Sequence, residues 1–482
     1  MAIQPTSSLP TDIYGLIIRF LDVDDIIVLR QTCKEFHELS KVRSVWDRLV
    51  RNDVLDQNIP IPRMQGRTLE SMNSTELEEC YRRAFSMRRN WVSSSPRVHR
   101  QLTLVPNSRS IAIHVLPGHC NNWIVSLSLT AGQQRVFTLQ CWDIGGSAPV
   151  CLARREFRRF RGMGVNRVAC TRRAIAILNP EVEIISVDPQ AASSDEGFVT
   201  EVYMPQVQEA AGIHFLAGSH ILTRNSNGNL DLWDINLSHT DAGKYQLHNP
   251  NLPQSTVIID VLVTNELIVL LKSTTLEVYG RPSQHAPPSN NNILVPISTF
   301  RLPWAIDNAV MVQVNRSSQN QRKSPIDILV RFRSYYPWAL NILHHYVLYP
   351  NTDFLADKDI SEHNPPYELA PLLRETIGSP VRLHTTSDMA IGPYGTAIWT
   401  DSHTEDYFNH ADRGQRVAGI FSRYVVNEGE EIELSDQVAT AVATSVYTYH
   451  EEDSWVRIAL DEMEGRIFLG RDDGVISVLE YI

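Results

Sequence analysis

Residues 123–143 read WIVSLSLTAGQQRVFTLQCWD, and the period of their apolar positions decides the fold. Val125, Leu127 and Leu129 alternate with Ser126 and Ser128, the two-residue period of a strand with one buried face. The Ala131-Gly132 pair interrupts the alternation, and Val136, Phe137, Leu139 and Trp142-Asp143 supply a second strand, so the stretch predicts a hairpin. Similar pairs follow at 174–187, at His220 to Asp234 around the Asn227-Gly228 turn, and at Leu267 to Tyr279. No long helical pattern separates them.

The spacing of these pairs carries more than their existence. Strand starts near Trp123, Val168, Ile213 and Ile258 stand about 45 residues apart, as do strand ends near Trp142, Val187, Trp233 and Val278. A period of about 40–45 residues with four short strands per unit is the mark of propeller blades. Later units are lengthened by polar or proline-rich insertions at Ser283 to Asn292, Arg316 to Ser324 and Thr352 to Pro366, and a hairpin from Arg466 to Leu479 closes the chain. The expected fold is therefore mainly β, with a propeller of about seven blades over 93–482. Trp142-Asp143 and the run Gly228-Asn229-Leu230-Asp231-Leu232-Trp233-Asp234 resemble degenerate WD-repeat blade endings. The Gly-His pair and turn Asp of a strict WD repeat are missing from most units, and Gly145-Gly146 alone offers the double glycine of a kelch repeat.

Before residue 93 the period is helical. Ile13, Leu16, Ile17, Phe20 and Leu21 fall on one helix face. Asp22-Val23-Asp24-Asp25 supplies acidic caps for a second helix with Ile26, Leu29, Cys33 and Phe36, and a third short helix carries Val45, Trp46, Leu49 and Val50. Pro60-Ile61-Pro62 then breaks the pattern before a connecting helix of about 15 residues with Leu77, Cys80, Tyr81, Ala84 and Phe85, for which Thr75 and Glu78 predict a capping box. The expected organisation is a helical docking module at 1–52, a linker and connecting helix at 53–92, and the propeller. Three helices in about 40 residues bury too little surface to stand alone, so another polypeptide or the rest of the chain must cover part of their apolar face.

The run Leu9-Pro10-Thr11-Asp12-Ile13, then Ile17 and Leu21-Asp22, Asp25-Ile26, Leu29 to Lys34, Phe36, Leu39 and Ser44-Val45-Trp46, resembles the F-box. The resemblance covers nearly the whole motif and about a tenth of the chain. It implies docking on the Skp-type adaptor of a cullin-RING ubiquitin ligase through Leu9, Pro10, Ile13, Ile17, Leu21, Ile26, Leu29 and Cys33, with Phe36, Leu39 and Trp46 as core. The rest of the chain would then select a protein client. The rival expectations are a non-degradative scaffold on the same adaptor and a propeller enzyme.

Composition narrows the remainder. A 43% hydrophobic and 21% charged chain is that of an ordinary globular protein, and a net charge of −11 argues against a general nucleic-acid binder. No stretch reaches about 18 apolar residues, so no membrane partner is expected, and the six scattered cysteines form no C-x-x-C pair. Neither a metal site nor a cofactor is expected, and the chain is placed in the cytoplasm or nucleus. No G-x-S-x-G, phosphate loop or H-E-x-x-H marks catalysis, so no catalytic residue is assigned and the chain is read as a non-enzyme. Arg154-Arg155-Glu156-Phe157-Arg158-Arg159-Phe160-Arg161 is the densest basic cluster, followed by Arg167, Arg172 and Arg173. Guanidinium forks pair with carboxylate or phosphate, which makes Arg154, Arg155, Arg158, Arg159 and Arg161 candidates for gripping a client, with Glu428 to Glu433 as an internal counter-charge.

Overall fold

The computed structural model describes residues 11–18, 20–64, 66–106, 108–169, 172–207, 210–237, 243–252, 257–281, 292–315, 323–333, 340–355, 357–368, 370–380, 388–403, 414–421, 439–441, 443–452 and 454–482. The N-terminal unit holds four helices where the periodicity predicts three: α1 (Thr11–Ile18), α2 (Val23–Arg30), α3 (Lys34–Leu39) and α4 (Arg43–Leu49), the last continuing into a wider turn at Val50–Leu55. Cys33 causes the difference. Its backbone is extended and its sulfur accepts the Phe36 amide at 3.5 Å, so it caps α3 instead of extending α2. Asp22 does cap α2, accepting the Asp25 amide at 2.8 Å.

The connecting helix α5 (Ser74–Trp91) is packed onto these four helices. Its capping box is formed by Asn73 and Glu76, not by Thr75 and Glu78. Glu78 instead takes both prongs of Arg30 at 2.9 Å, which ties α2 to α5. One apolar core runs from Ile18 and Ile26 through Trp46 and Val54 to Leu77, Tyr81 and Ala84, across the expected boundary at residue 52. Trp46 is fully buried, and its indole N–H donates to the Ser40 carbonyl at 2.8 Å.

Seven antiparallel sheets follow, spanning 109–157, 162–204, 210–247, 258–301, 306–380, 389–450 and 455–480. The first strand of each lines a central channel, and the ring is closed by Arg100–Leu104, which pairs antiparallel with Ile476–Glu480 as the fourth strand of the seventh blade. Trp142, Val187, Trp233 and Val278 all lie on third strands of successive blades, so the 45-residue spacing of strand ends is the true repeat. The strand starts are not equivalent. Trp123 opens a second strand, Ile213 and Ile258 lie on first strands, and Val168 lies in no strand.

A blade's outer strand presents unpaired backbone groups, and each such edge is a pairing hazard. Here the connection between the third and fourth strands of one blade shields the edge of the blade before it. Ser194–Glu196 of the second blade packs on the outer strand of the first, with Gly197 pressed against Leu152 and Ala153. Ile293–Leu294 of the fourth blade adds a parallel strand to Gln246 and Leu247 of the third, and Ala439–Ala441 of the sixth does the same to Glu375, Thr376 and Ile377 of the fifth. Ile360, in the insertion at 352–366, packs against the partly buried side of the fourth blade's core. Of the three insertions that lengthen the later blades, 316–322 and most of 283–292 lie outside the described residues.

Polar side chains bridge the strands within each blade. Trp142 and Trp233 donate their indole N–H to Ser126 at 3.0 Å and Thr223 at 3.2 Å on the second strands of their blades. In the fifth blade His345 sits buried between Asp327 and Glu375, and in the sixth Asp401 receives Trp399 and Arg416, while Ser379 reaches it from the outer strand of the fifth. Different residues thus carry the buried polar contacts of successive blades, which is why no single motif repeats along the sequence.

Candidate docking surfaces

The two ends of the ring are chemically distinct. One end carries the turns between first and second strands, and there α5 ends. The Trp91 indole donates to Thr396 Oγ1 at 2.8 Å, the Tyr447 hydroxyl donates to the Trp91 carbonyl at 3.2 Å, and the Asn90 side-chain Nδ2 donates to the Tyr481 carbonyl at 2.7 Å. Glu464, in the first turn of the seventh blade, accepts the Arg63 amide at 3.0 Å, and the Val446 amide donates to the Ser94 carbonyl at 3.0 Å. Arg88 lies 3.5 Å from the centre of the Phe421 ring. Two arginines of this helix pair along its length, Arg82 with Glu78 at 2.6 Å and Arg83 with Glu79 at 3.7 Å.

On the helical unit the apolar residues divide sharply. Ile18 is 1% exposed, whereas Ile13, Leu16, Ile17 and Phe20 are 40%, 49%, 43% and 89% exposed. Of the residues that the F-box resemblance marks for the adaptor, Ile13 and Ile17 lie on this open face. Leu21 and Leu29 are partly buried against the unit's own core, Ile26 is wholly inside it, and Cys33 is exposed at the cap of α3. Leu9 and Pro10 lie outside the described residues. Leu16 and Phe20 extend the open face beyond the motif positions, and their signal in the sequence is the helical period alone.

The basic cluster is taken apart by strand geometry. Arg154 and Arg155 lie on the outer strand of the first blade, Val150–Phe157, and are both engaged: Arg154 pairs with Glu156 at 2.6 Å, and Arg155 with Glu183 at 3.2 Å and the Phe198 carbonyl at 2.8 Å. Arg158, Arg159 and Arg161 belong to the crossover into the second blade, at the end of the ring opposite the helices, and all three are exposed. Arg167, Arg172 and Arg173 sit at the helix end, between Val165 and Ile175. The acidic stretch Glu428 to Glu433 lies outside the described residues.

The central channel, about 810 Å³, brings together His114, His214, Asp260 and Asp388, which the linear sequence scatters. Their oxygens are committed to the scaffold. Asp260 accepts Arg167 at 3.0 Å and the Val261 amide at 2.8 Å on one oxygen, and the Met311 amide of the next blade at 2.8 Å on the other. Asp388 accepts Asn308 at 3.3 Å, the Met389 amide at 3.1 Å and the Ile458 amide of the seventh blade at 2.9 Å. Desolvation by the surrounding blades, with Arg167 and Arg224 nearby, pushes His114 and His214 down to about 4, although His114 faces the open channel and is exposed there. Among the described residues no group of three or more His, Cys, Asp or Glu is placed to hold a metal ion, and no helix is long and apolar enough to cross a membrane.

Residues 6–52 match the model of the F-box-like family. No curated protein matches the chain. The family model and the seven sheets together identify an F-box-like domain followed by a seven-bladed β-propeller, the architecture of an F-box protein with a C-terminal propeller.

Proposed function

We propose that this chain is the substrate-recognition adaptor of a cullin-RING ubiquitin ligase of the SCF type, working in the cytoplasm or nucleus. The observation that carries the reading is the open apolar face of α1 beside a completed core. Ile18, Ile26 and Trp46 fill the interior, so Ile13, Leu16, Ile17 and Phe20 are left for a foreign polypeptide. A Skp-type adaptor is the partner that the F-box-like family implies, and Leu9, Pro10, Ile13, Ile17, Leu21, Leu29 and Cys33 are its proposed contacts, with Ile26 supporting them from within. The propeller holds a protein client at a fixed offset, and the chain's contribution is proximity: a client lysine is kept at high effective concentration near the charged carrier enzyme. No bond is made or broken by the chain itself.

Substituting Ile17→Asp together with Phe20→Asp should abolish co-purification of the Skp-type adaptor and cullin from cells, while the propeller keeps its melting transition. Retention of the adaptor by that variant would refute the docking assignment. A ubiquitylation assay on the captured complex then separates a degradative receptor from a scaffold on the same adaptor.

A further inference from the structure

We propose that Ser193 is a phosphorylation site for an acidophilic protein kinase, and that its phosphate loosens the connection that shields the outer strand of the first blade. Ser193 stands in the sequence Ala191-Ala192-Ser193-Ser194-Asp195-Glu196, with carboxylates two and three residues on. Ser44 and Thr75 also precede a carboxylate by three residues, but they are wound into α4 and α5. Ser193 lies in the connection at 188–197, its backbone extended at φ −144° and ψ 157° and its hydroxyl capping nothing. Pro189, Gln190, Ala192, Ser193, Asp195 and Glu196 are all exposed, and the two acids enter no ion pair among the described residues.

A kinase takes its substrate serine from an extended, accessible segment, and acids after that serine match a groove lined by lysine and arginine. In the transfer the Ser193 Oγ attacks the γ-phosphorus of kinase-bound ATP; the Oγ–P bond forms as the bond to the ADP oxygen breaks, and the hydroxyl proton passes to the kinase's catalytic carboxylate. The product adds a charge of about −1.5 to −2 beside Asp188, Asp195 and Glu196. On the strand that the connection covers, Arg154 is already paired with Glu156 and Arg155 with Glu183, so neither guanidinium is left to answer the phosphate. The connection is held at its base, where the Asp188 amide donates to the Gly197 carbonyl at 2.8 Å and Gly197 sits directly on Leu152 and Ala153. Repulsion among four anionic groups between 188 and 196 therefore acts against the short stretch, Ser194–Glu196, that packs on Val150–Phe157.

The test incubates the folded full-length chain, with S193A and D195N/E196Q beside it, with casein kinase II and ATP, and maps the products by tandem mass spectrometry. The expected result is a phosphate on Ser193, absent from S193A and formed about tenfold or more slowly in D195N/E196Q, with Ser44 and Thr75 unmodified. An unmodified Ser193, a phosphate on Ser194 in its place, or equal modification of Ser44 and Thr75 would overturn the site. Hydrogen exchange at 150–155 should then be about tenfold faster in the phosphorylated chain than in the untreated one, unchanged at 466–480, and restored by phosphatase. Exchange at 150–155 that stays the same or slows would overturn the loosening.

Discussion

Ile17 and Ile18 are neighbours in sequence with opposite fates, and the 100° step of a helix is the whole cause: Ile18 faces Trp46 and Leu49, while Ile17 faces solvent at 43% exposure. Replacing Ile18 with Ala should cost the helical unit about 2–5 kcal/mol, whereas Ile17→Ala should change stability by less than about 0.5 kcal/mol and yet weaken adaptor binding. Hydrogen exchange across α4 and α5 together with adaptor titration distinguishes the two; equal destabilisation by both would mean that α1 has no free face. Glu462 presents a second residue-scale case. Both its oxygens serve the sixth blade, accepting the Tyr394 amide at 2.7 Å, the Thr396 amide at 3.0 Å and the Thr396 hydroxyl. Burial nevertheless dominates and lifts its pKa from 4.5 to about 7. The folded chain therefore holds this proton more tightly than the unfolded chain, so the contribution to stability is full below about pH 4.5 and is lost as the pH rises through 7. Glu462→Gln should flatten the fall in melting temperature between pH 5 and pH 8, measured by calorimetry, on the order of 3 kcal/mol across that window.

At the scale of elements, the end of α5 behaves as a latch. Trp91 is 3% exposed and packs on Tyr447 and Tyr481 at 4.9 and 5.3 Å, so one side chain joins the helix to the sixth and seventh blades. Trp91→Ala should lower stability by about 3–5 kcal/mol and raise hydrogen exchange selectively in 88–97 and 445–450; an effect spread evenly over all blades would contradict the latch. How much of this was legible follows from where each element buries its side chains. The third strands, with Trp142, Val187, Trp233 and Val278, carry the repeat plainly because they are enclosed within their blades. First strands were blurred because they line the channel, where Asp260, Asp388 and Arg457 replace apolar residues, and because bulges shift their registers. Cys33 as a cap was hidden by its fit to the period of α2, and the contiguous arginines gave no sign that a strand end would divide them into paired and free groups. The apolar face of α1, by contrast, was readable because it is local.

The whole molecule depends on a pairing that no local pattern announces. Arg100 and Glu480 are partners across 380 residues, and Leu104, on the same closing strand, is fully buried. The seven sheets otherwise stack in chain order, so the ring has a single junction where the two ends of the propeller must find each other, and non-local closure of this kind is slow and leaves an edge open until it is complete. The Arg100 guanidinium donates to the Gly146 carbonyl of the first blade as well as pairing with Glu480, which joins three segments at that junction. Ser94 occupies the place against the sixth blade that a connection between third and fourth strands fills elsewhere, because the seventh blade has no such connection of its own. Trp91, two residues before the expected start of the propeller at 93, is packed into its sixth and seventh blades. A chain shortened to begin at Arg88 should melt in one cooperative transition, one beginning at Ser93 should melt several degrees lower for want of Trp91, and one beginning at Val105 should lose cooperativity and associate through the exposed Ile476–Glu480 edge. Calorimetry with gel filtration checks the order. If the Ser93 chain matched the Arg88 chain, the helix would be only a tether, and the orientation of the docking module relative to the client surface would not be fixed by this packing.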